Sequence, residues 1–83
     1  MKEADIVAVI AGVAREHVGY DGPLDPELRL VEDLELDSLK SLTLAVEIEN
    51  SFRICLDSEN EGQIITVGDL VGEVRRLLER DAE

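Results

Sequence analysis

Residues 36–52 read LDSLKSLTLAVEIENSF, and this stretch predicts the central helix of the fold. Leu44, Ile48 and Phe52 recur every four residues, which places them along one helical face. Asp37 or Ser38 stands where a helix N-cap is expected, ahead of the first apolar repeat. The sequence therefore predicts a helix from Ser38 to Phe52 that packs into a core through one apolar stripe.

This central helix carries more apolar surface than one core-facing stripe needs. Leu42 and Val46 lie on an adjacent face of the helix. Two interpretations stay open from the sequence. Either these side chains also pack inside the protein, or they form an apolar strip that is offered to a partner.

Two further helices flank the central one. Residues 3–17 show helical periodicity and end before Gly19, which is a typical stop. The stretch Thr66-Val67-Gly68-Asp69 resembles a capping box, so a last helix is predicted from Val67 to about Arg80. The apolar positions are Ile6, Val9, Ile10, Val13 and His17 or Val18 in the first helix, and Val67, Leu70, Val71, Val74, Leu77 and Leu78 in the last.

A long connector, residues 19–37, joins the first and central helices. It is expected to be an ordered loop packed along the bundle, because a structureless loop of this length is unusual in a compact domain. Asp25 could cap one short helical turn here, and Asp57 or Ser58 a brief helix that runs to about Gly62. The connector residues expected to dock on the core are Leu24, Leu28, Leu30, Val31, Leu34 and Leu36.

These elements predict an all-α fold: a small bundle of three main helices plus one or two short helical turns. The 83 residues are expected to form a single domain, residues 1–83, because they leave no room for two hydrophobic cores.

Charge and composition exclude several classes of function. The net charge is −12, which disfavours binding to nucleic acid or to anionic membranes and favours partners with basic surfaces. The same charge favours a monomer. No apolar run is long enough to span a membrane, and residues 1–5 do not resemble a signal peptide. The single cysteine, Cys55, cannot form an intrachain disulfide, so we expect a cytoplasmic protein.

No catalytic or metal site is predicted. Asp33, Glu35 and Asp37 match the first ligand positions of a calcium loop, but Ser38 and Leu44 stand where glycine and glutamate are required. One cysteine and one histidine cannot make a zinc site. His17 is expected at the boundary of the core, and Cys55, between Ile54 and Leu56, as an inert packed thiol. The chain is therefore not expected to be an enzyme.

Three stretches together, residues 30–39, 44–52 and 64–70, resemble the acyl carrier proteins of the free-standing type, over essentially the whole chain. The resemblance implies that Ser38 is esterified by 4′-phosphopantetheine, which a phosphopantetheinyl transferase transfers from coenzyme A with magnesium. The cargo is then a thioester on the arm, not on Cys55. The resemblance also assigns Asp37 to transferase recognition and Leu39 to an apolar partner contact.

The central helix departs from the strongly acidic pattern of carriers in fatty-acid synthesis. Lys40 and Thr43 stand where acids are common in the family, although Glu47 and Glu49 remain. This favours a dedicated polyketide or specialised fatty-acyl pathway, with acyl-loading enzymes, ketosynthases or other acyl-transferring enzymes of basic surface as partners. The residues expected to face such partners are Lys40, Leu42, Thr43, Val46, Glu47 and Glu49.

Two alternatives remain open: an aminoacyl carrier, of the D-alanyl or peptidyl type, and an acidic helical adaptor that is never modified. The use of the core is also open, because its aliphatic residues suit either ordinary packing or a sleeve for an acyl chain. The sleeve would be lined by Leu44, Ile48, Phe52, Val71 and Val74.

Overall fold

The computed structural model describes residues 2–56 and 64–81. Within these ranges the chain forms four helices and no strand, which confirms the all-α expectation. The brief helix predicted to follow Asp57 or Ser58 lies outside the described residues. The helices are α1, Glu3–Val13; α2, Leu30–Asp33; α3, Ser38–Phe52; and α4, Val67–Asp81.

Helix α1 buries one face and ends differently from the prediction. Ile6 and Ile10 are fully buried, as their spacing indicates. Instead of continuing as an α-helix to His17, the chain forms a π-helical turn over Ala14–Val18. This turn buries Val18 and leaves His17 exposed. The predicted stop is confirmed, because Gly19 has a left-handed backbone with φ of 76°.

The connector is ordered, as predicted, because its backbone is hydrogen-bonded to the start of α4. The amide of Leu30 donates to the carbonyl of Ile65 at 2.9 Å, and the amide of Val67 donates to the carbonyl of Leu28 at 2.8 Å. The Asp25 carboxylate accepts a bond from the amide of Glu27 at 2.9 Å and so caps a single turn. The short helix that does form, α2, lies further along the chain than that turn.

Most connector side chains dock on the core, with one exception. Leu30, Leu34 and Leu36 are buried, and Leu24 and Leu28 pack against the core while half-buried. Val31 was expected to dock as well, but it is 60% exposed. The reason is helical geometry: in α2 its neighbour Leu30 faces the core, so Val31 points about 100° away.

Helix α3 has the predicted bounds, Ser38–Phe52, and both of its ends are capped. The Asp37 carboxylate accepts a bond from the amide of Lys40 at 2.7 Å. At the other end, Arg53 takes a left-handed conformation with φ of 56°, and the amide of Ile54 donates to the carbonyl of Glu49 at 3.1 Å. This bond completes a Schellman-type cap and turns the buried Ile54 into the core.

Helix α4 begins with the predicted capping box. The amide of Asp69 donates to the Thr66 hydroxyl at 3.1 Å, and the Asp69 carboxylate accepts from the amides of Thr66 and Ile65 at 3.0 and 3.1 Å. The hydrogen bonds from these two amides hold the pKa of Asp69 below its ordinary value, and the bond from Thr66 has the larger effect.

The core lies between the three long helices. Helix α1 packs against both α3 and α4, and the π-helical turn packs against α3. Apart from Val9 and Leu78, which are half-buried, the apolar residues predicted to face the core in the three long helices are buried, with Val18 rather than His17 at the end of the first stripe. The core residues are Ile6, Ile10, Val13, Ala14, Val18, Leu30, Leu34, Leu36, Leu44, Ile48, Phe52, Ile54, Val67, Leu70, Val71, Val74 and Leu77.

Candidate functional site

Ser38 is the first residue of α3 and is exposed. Its backbone is held on both sides: Leu36 is buried two residues earlier, and the Asp37 carbonyl accepts from the amide of Ser41 at 2.8 Å. Because Asp37 caps the helix with its own side chain, the Ser38 hydroxyl is not needed as the cap. A hydroxyl group is thus presented to solvent at a rigid helix start.

The backbone turns sharply just before Ser38, at a residue in the left-handed conformation. Helix α2 ends at Asp33, and Glu35, two residues later, has a left-handed backbone with φ of 54°. The amide of Leu36 donates to the carbonyl of Val31 at 3.0 Å. This is again a Schellman-type cap, at a position that glycine usually occupies. The turn reverses the chain so that Leu36 enters the core while Ser38 stays outside.

A cavity of about 370 Å³ opens beside Ser38, which is within the usual range of small-molecule sites. Apart from Ser38 and Ser41, its lining is apolar, so it suits a hydrocarbon chain better than a polar ligand. It lies between α3, the connector and the start of α4. Its lining residues are Leu30, Val31, Leu36, Ser38, Ser41, Leu42, Leu44, Ala45, Ile48, Leu56, Ile64 and Leu70.

The cavity coincides with only part of the sleeve that the sequence left open. Leu44 and Ile48 line it, as expected, but Phe52, Val71 and Val74 do not; they are buried in the core. Sequence reasoning missed Ser41, although its position one turn after Ser38 places both hydroxyls on the same side of the helix. It also missed Val31 and Ile64, which reach the cavity only through the fold of the connector.

The second apolar face of α3 is not packed inside the protein. Leu39 is 72% exposed, Leu42 is 61% exposed and Val46 is 42% exposed. These three residues, here called the apolar strip, run along the outer side of α3 from the residue next to Ser38. The question that the sequence left open is thereby answered: the strip is a surface.

The polar residues beside the strip differ in how they are engaged. Lys40 is exposed, whereas the Thr43 hydroxyl donates to the carbonyl of Leu39 at 2.9 Å. Glu47 lies 3.2 Å from His17 Nε2, on the flank that faces the π-helical turn. Glu49 accepts a bond from the amide of Leu56 at 3.0 Å, on the opposite flank. Both glutamates thus have partners within the protein.

The structure also places the residues that were considered and rejected as metal or catalytic sites. Asp33 accepts a bond from the amide of Arg29 at 2.7 Å, which is a capping role at the start of α2. Among the described residues, no group of three or more potential metal ligands is found. Cys55 was expected to be packed, but it is exposed. The left-handed turn at Arg53 directs Ile54 into the core, and the side chain of the next residue emerges on the outside.

A small helical bundle with an exposed serine at a helix start, beside an apolar cavity, is the arrangement of a carrier domain. No protein-family model matches the chain. It is, however, 32% identical to the meromycolate extension acyl carrier protein of Mycobacterium tuberculosis, over 98% of this chain and 71% of that protein. It is also 32% identical to acyl carrier protein 2 of Ralstonia nicotianae, over 94% of this chain and 98% of that protein.

A further relative, the acyl carrier protein of Rhodococcus erythropolis, is 27% identical over 98% of this chain and 90% of that protein. The chain belongs to the acyl carrier protein family, and its function is that of an acyl carrier. Within the described residues, none of the helices is long and apolar enough to cross a membrane.

Proposed function

We propose that this acyl carrier holds its cargo as a thioester on a 4′-phosphopantetheine arm attached to Ser38 Oγ. The observation that supports this most strongly is the exposed Ser38 at the start of α3, which also lines the apolar cavity. We further propose that residues 1–83 form one carrier domain that catalyses no reaction itself. The arm supplies the thiol that carries the acyl group.

Ser38 fits this modification chemically. Its hydroxyl oxygen would bond to the phosphorus of coenzyme A that bears the pantetheine, and the pyrophosphate bond would break to release adenosine 3′,5′-bisphosphate. The hydroxyl proton would pass to a base of the transferase, because His17, the single histidine of the sequence, is paired with Glu47 instead. The start of α3 favours the resulting phosphodiester, because the free amides and the helix dipole attract an anion there.

The cavity supports sequestration of the apolar end of the cargo. An acyl chain that starts beside Ser38 would pass Ser41 and then meet Leu44 and Ile48, which line the cavity. Burial of its methylene groups would stabilise the loaded carrier by about 0.8 kcal/mol for each group fully removed from water. The cavity thus offers the carrier a means to protect its cargo between enzymes.

A specialised fatty-acyl pathway is the context that the comparisons favour. One relative is named for meromycolate extension, and the first two turns of α3 contain no acidic residue. We therefore propose as partners a phosphopantetheinyl transferase and the acyl-loading, condensing or other acyl-transferring enzymes of such a pathway, in the cytoplasm. Asp37 would contribute to transferase recognition and Leu39 to the apolar contact.

The test is the intact mass of the protein after incubation with coenzyme A, magnesium and a broad-specificity transferase. Wild type is expected to gain one phosphopantetheine and Ser38→Ala none. Ser41→Ala is the matched control, because it removes a neighbouring hydroxyl of the same cavity and should still be modified. An unmodified wild type that is folded by circular dichroism would contradict the proposal and favour the acidic adaptor.

A further inference from the structure

The distribution of charge changes abruptly at Ser38. Residues 31–37 contain four carboxylates and no cation, whereas residues 38–46 contain one charged side chain, the cation Lys40. A partner that reaches Ser38 therefore meets negative charge on the connector side and a neutral or positive surface along α3. The four acids are Glu32, Asp33, Glu35 and Asp37.

Not all of these charges are available to a partner. Glu32 pairs with Arg29 at 3.3 Å, and Asp33 accepts from the Arg29 amide. Glu35 and Lys40 are exposed, and neither has an ion-pair partner among the residues that the structure describes. Asp37 accepts the Lys40 amide through Oδ1 and is still exposed. The available charges are thus carboxylates before Ser38 and an ammonium group after it.

The apolar strip continues into the rim of the cavity. Leu42 belongs to the strip and also lines the cavity, and Val31, 60% exposed, lines the cavity from the connector side. Apolar surface therefore extends along α3 to the cavity beside Ser38. At protein interfaces, a contiguous apolar centre of this kind is where most of the binding energy is found, while charges at the rim select the partner.

We propose that the enzymes acting on Ser38 dock on the apolar strip through a groove that is itself apolar along α3. In the docked complex, basic side chains of the partner lie only opposite Glu35 and Asp37 of the carrier. An acidic or hydrogen-bond-accepting group of the partner lies opposite Lys40. This rests on the proposed function, since it concerns partners of Ser38. A second copy of this chain is disfavoured as the occupant, because each copy carries a net charge of −12.

The inference predicts a preference between two kinds of enzyme. A groove lined with basic residues along its whole length places a cation opposite Lys40, and like charges at a contact reject a partner. A groove that is apolar in this region meets Leu39, Leu42 and Val46 without desolvating a charge. The carrier should therefore discriminate against enzymes built for strongly acidic carriers.

The experiment compares two phosphopantetheinyl transferases, one with a basic docking groove and one with an apolar groove. At about 0.15 M salt, kcat/KM for modification of wild type is expected to be at least about tenfold higher with the apolar-groove enzyme than with the basic-groove enzyme. Lys40→Glu should shift this preference toward the basic-groove enzyme by about tenfold. Leu42→Ser should lower kcat/KM for the apolar-groove enzyme about tenfold, and Leu42→Met should restore it.

The matched control for charge is Lys2→Glu, an identical change at an exposed residue that precedes α1. It should leave the preference unchanged, and circular dichroism verifies that each variant is folded. The inference alone is overturned if wild type is modified but favours the basic-groove enzyme, or if Leu42→Ser and Lys40→Glu have no effect. If neither enzyme modifies wild type while both modify an unrelated carrier, the proposed function fails as well.

Discussion

At the scale of single residues, Asp37 combines two roles that a substitution can separate. Its carboxylate caps α3 through the Lys40 amide at 2.7 Å, and it stands directly before the proposed attachment site. Asparagine caps a helix about as well as aspartate but carries no charge. The structural role therefore depends on a hydrogen-bond acceptor, whereas recognition by a basic transferase residue depends on charge.

We expect Asp37→Ala to lower the free energy of unfolding by about 1 kcal/mol, because α3 loses its cap. Asp37→Asn should lower the free energy of unfolding by only about a few tenths of a kcal/mol, because asparagine also caps a helix. It should still reduce kcat/KM for modification of Ser38 severalfold. Urea denaturation and a transferase assay measure the two effects. If Asp37→Asn is modified at the wild-type rate, Asp37 is only a cap.

Because Cys55 is exposed, we expect its thiol to react with alkylating reagents much faster than a packed thiol would. It is the only cysteine of the chain, and the structure places it outside the core. Iodoacetamide should therefore alkylate the folded apo protein once, at a rate close to that of the urea-unfolded chain. Intact mass at timed intervals gives both rates. Native labelling slower by about a hundredfold would mean that the thiol is protected.

At the scale of elements, helix α3 uses its two sides differently. Leu44, Ile48 and Phe52 are buried, while the apolar strip on the outer side stays exposed. Because the two sides come from one 15-residue helix, the start of the strip and the position of Ser38 are fixed relative to the core. A partner that recognises the strip is thereby aligned with Ser38.

Helix α4 should lose part of its stabilisation in acid through Asp69. Hydrogen bonds from the Thr66 and Ile65 amides lower the pKa of Asp69 below its ordinary value of 3.8. The carboxylate therefore stabilises the fold at pH above 3.8, and this contribution is lost as the pH falls through the lowered value in the folded protein. Asp69→Asn should be less stable than wild type at pH 7, with the difference shrinking below pH 3.8.

Urea unfolding of both proteins between pH 7 and pH 3 measures that difference. Asp5→Asn is a suitable control, because Asp5 is also exposed in the first turn of a helix but is not part of a capping box. A difference between wild type and Asp69→Asn that does not change with pH would contradict the assigned role of the charge.

At the scale of the whole molecule, truncating a core side chain should destabilise the protein much more than truncating a side chain of the apolar strip. Ile48 is fully buried between the helices, so Ile48→Ala is expected to cost about 3 kcal/mol of unfolding free energy. Leu42 is mostly exposed, so Leu42→Ala should change stability by no more than about 0.5 kcal/mol. Urea denaturation of the two variants checks this contrast, and equal losses would mean that the strip is packed.

Local pattern was sufficient for the bounds of α3 and for several helix caps, but not for the π-helical turn after α1 or for the position of α2. The bounds of α3, the capping box at Thr66 and Asp69, and the stop at Gly19 all follow from interactions within a few residues. Such interactions depend on spacing along the chain, which is visible in the sequence. The proposal of Ser38 as the attachment site came instead from the resemblance to acyl carrier proteins, which three stretches carry together: residues 30–39, 44–52 and 64–70.

Long-range packing decided the remaining features. The exposure of Leu42 and Val46, the cavity beside Ser38 and the emergence of Cys55 depend on where the connector and α4 lie against α3. The same apolar residue is core or surface according to which neighbours cover it, and those neighbours are distant in the chain. Periodicity identifies the apolar faces of a helix, but only the assembled bundle determines which face is covered and which stays exposed.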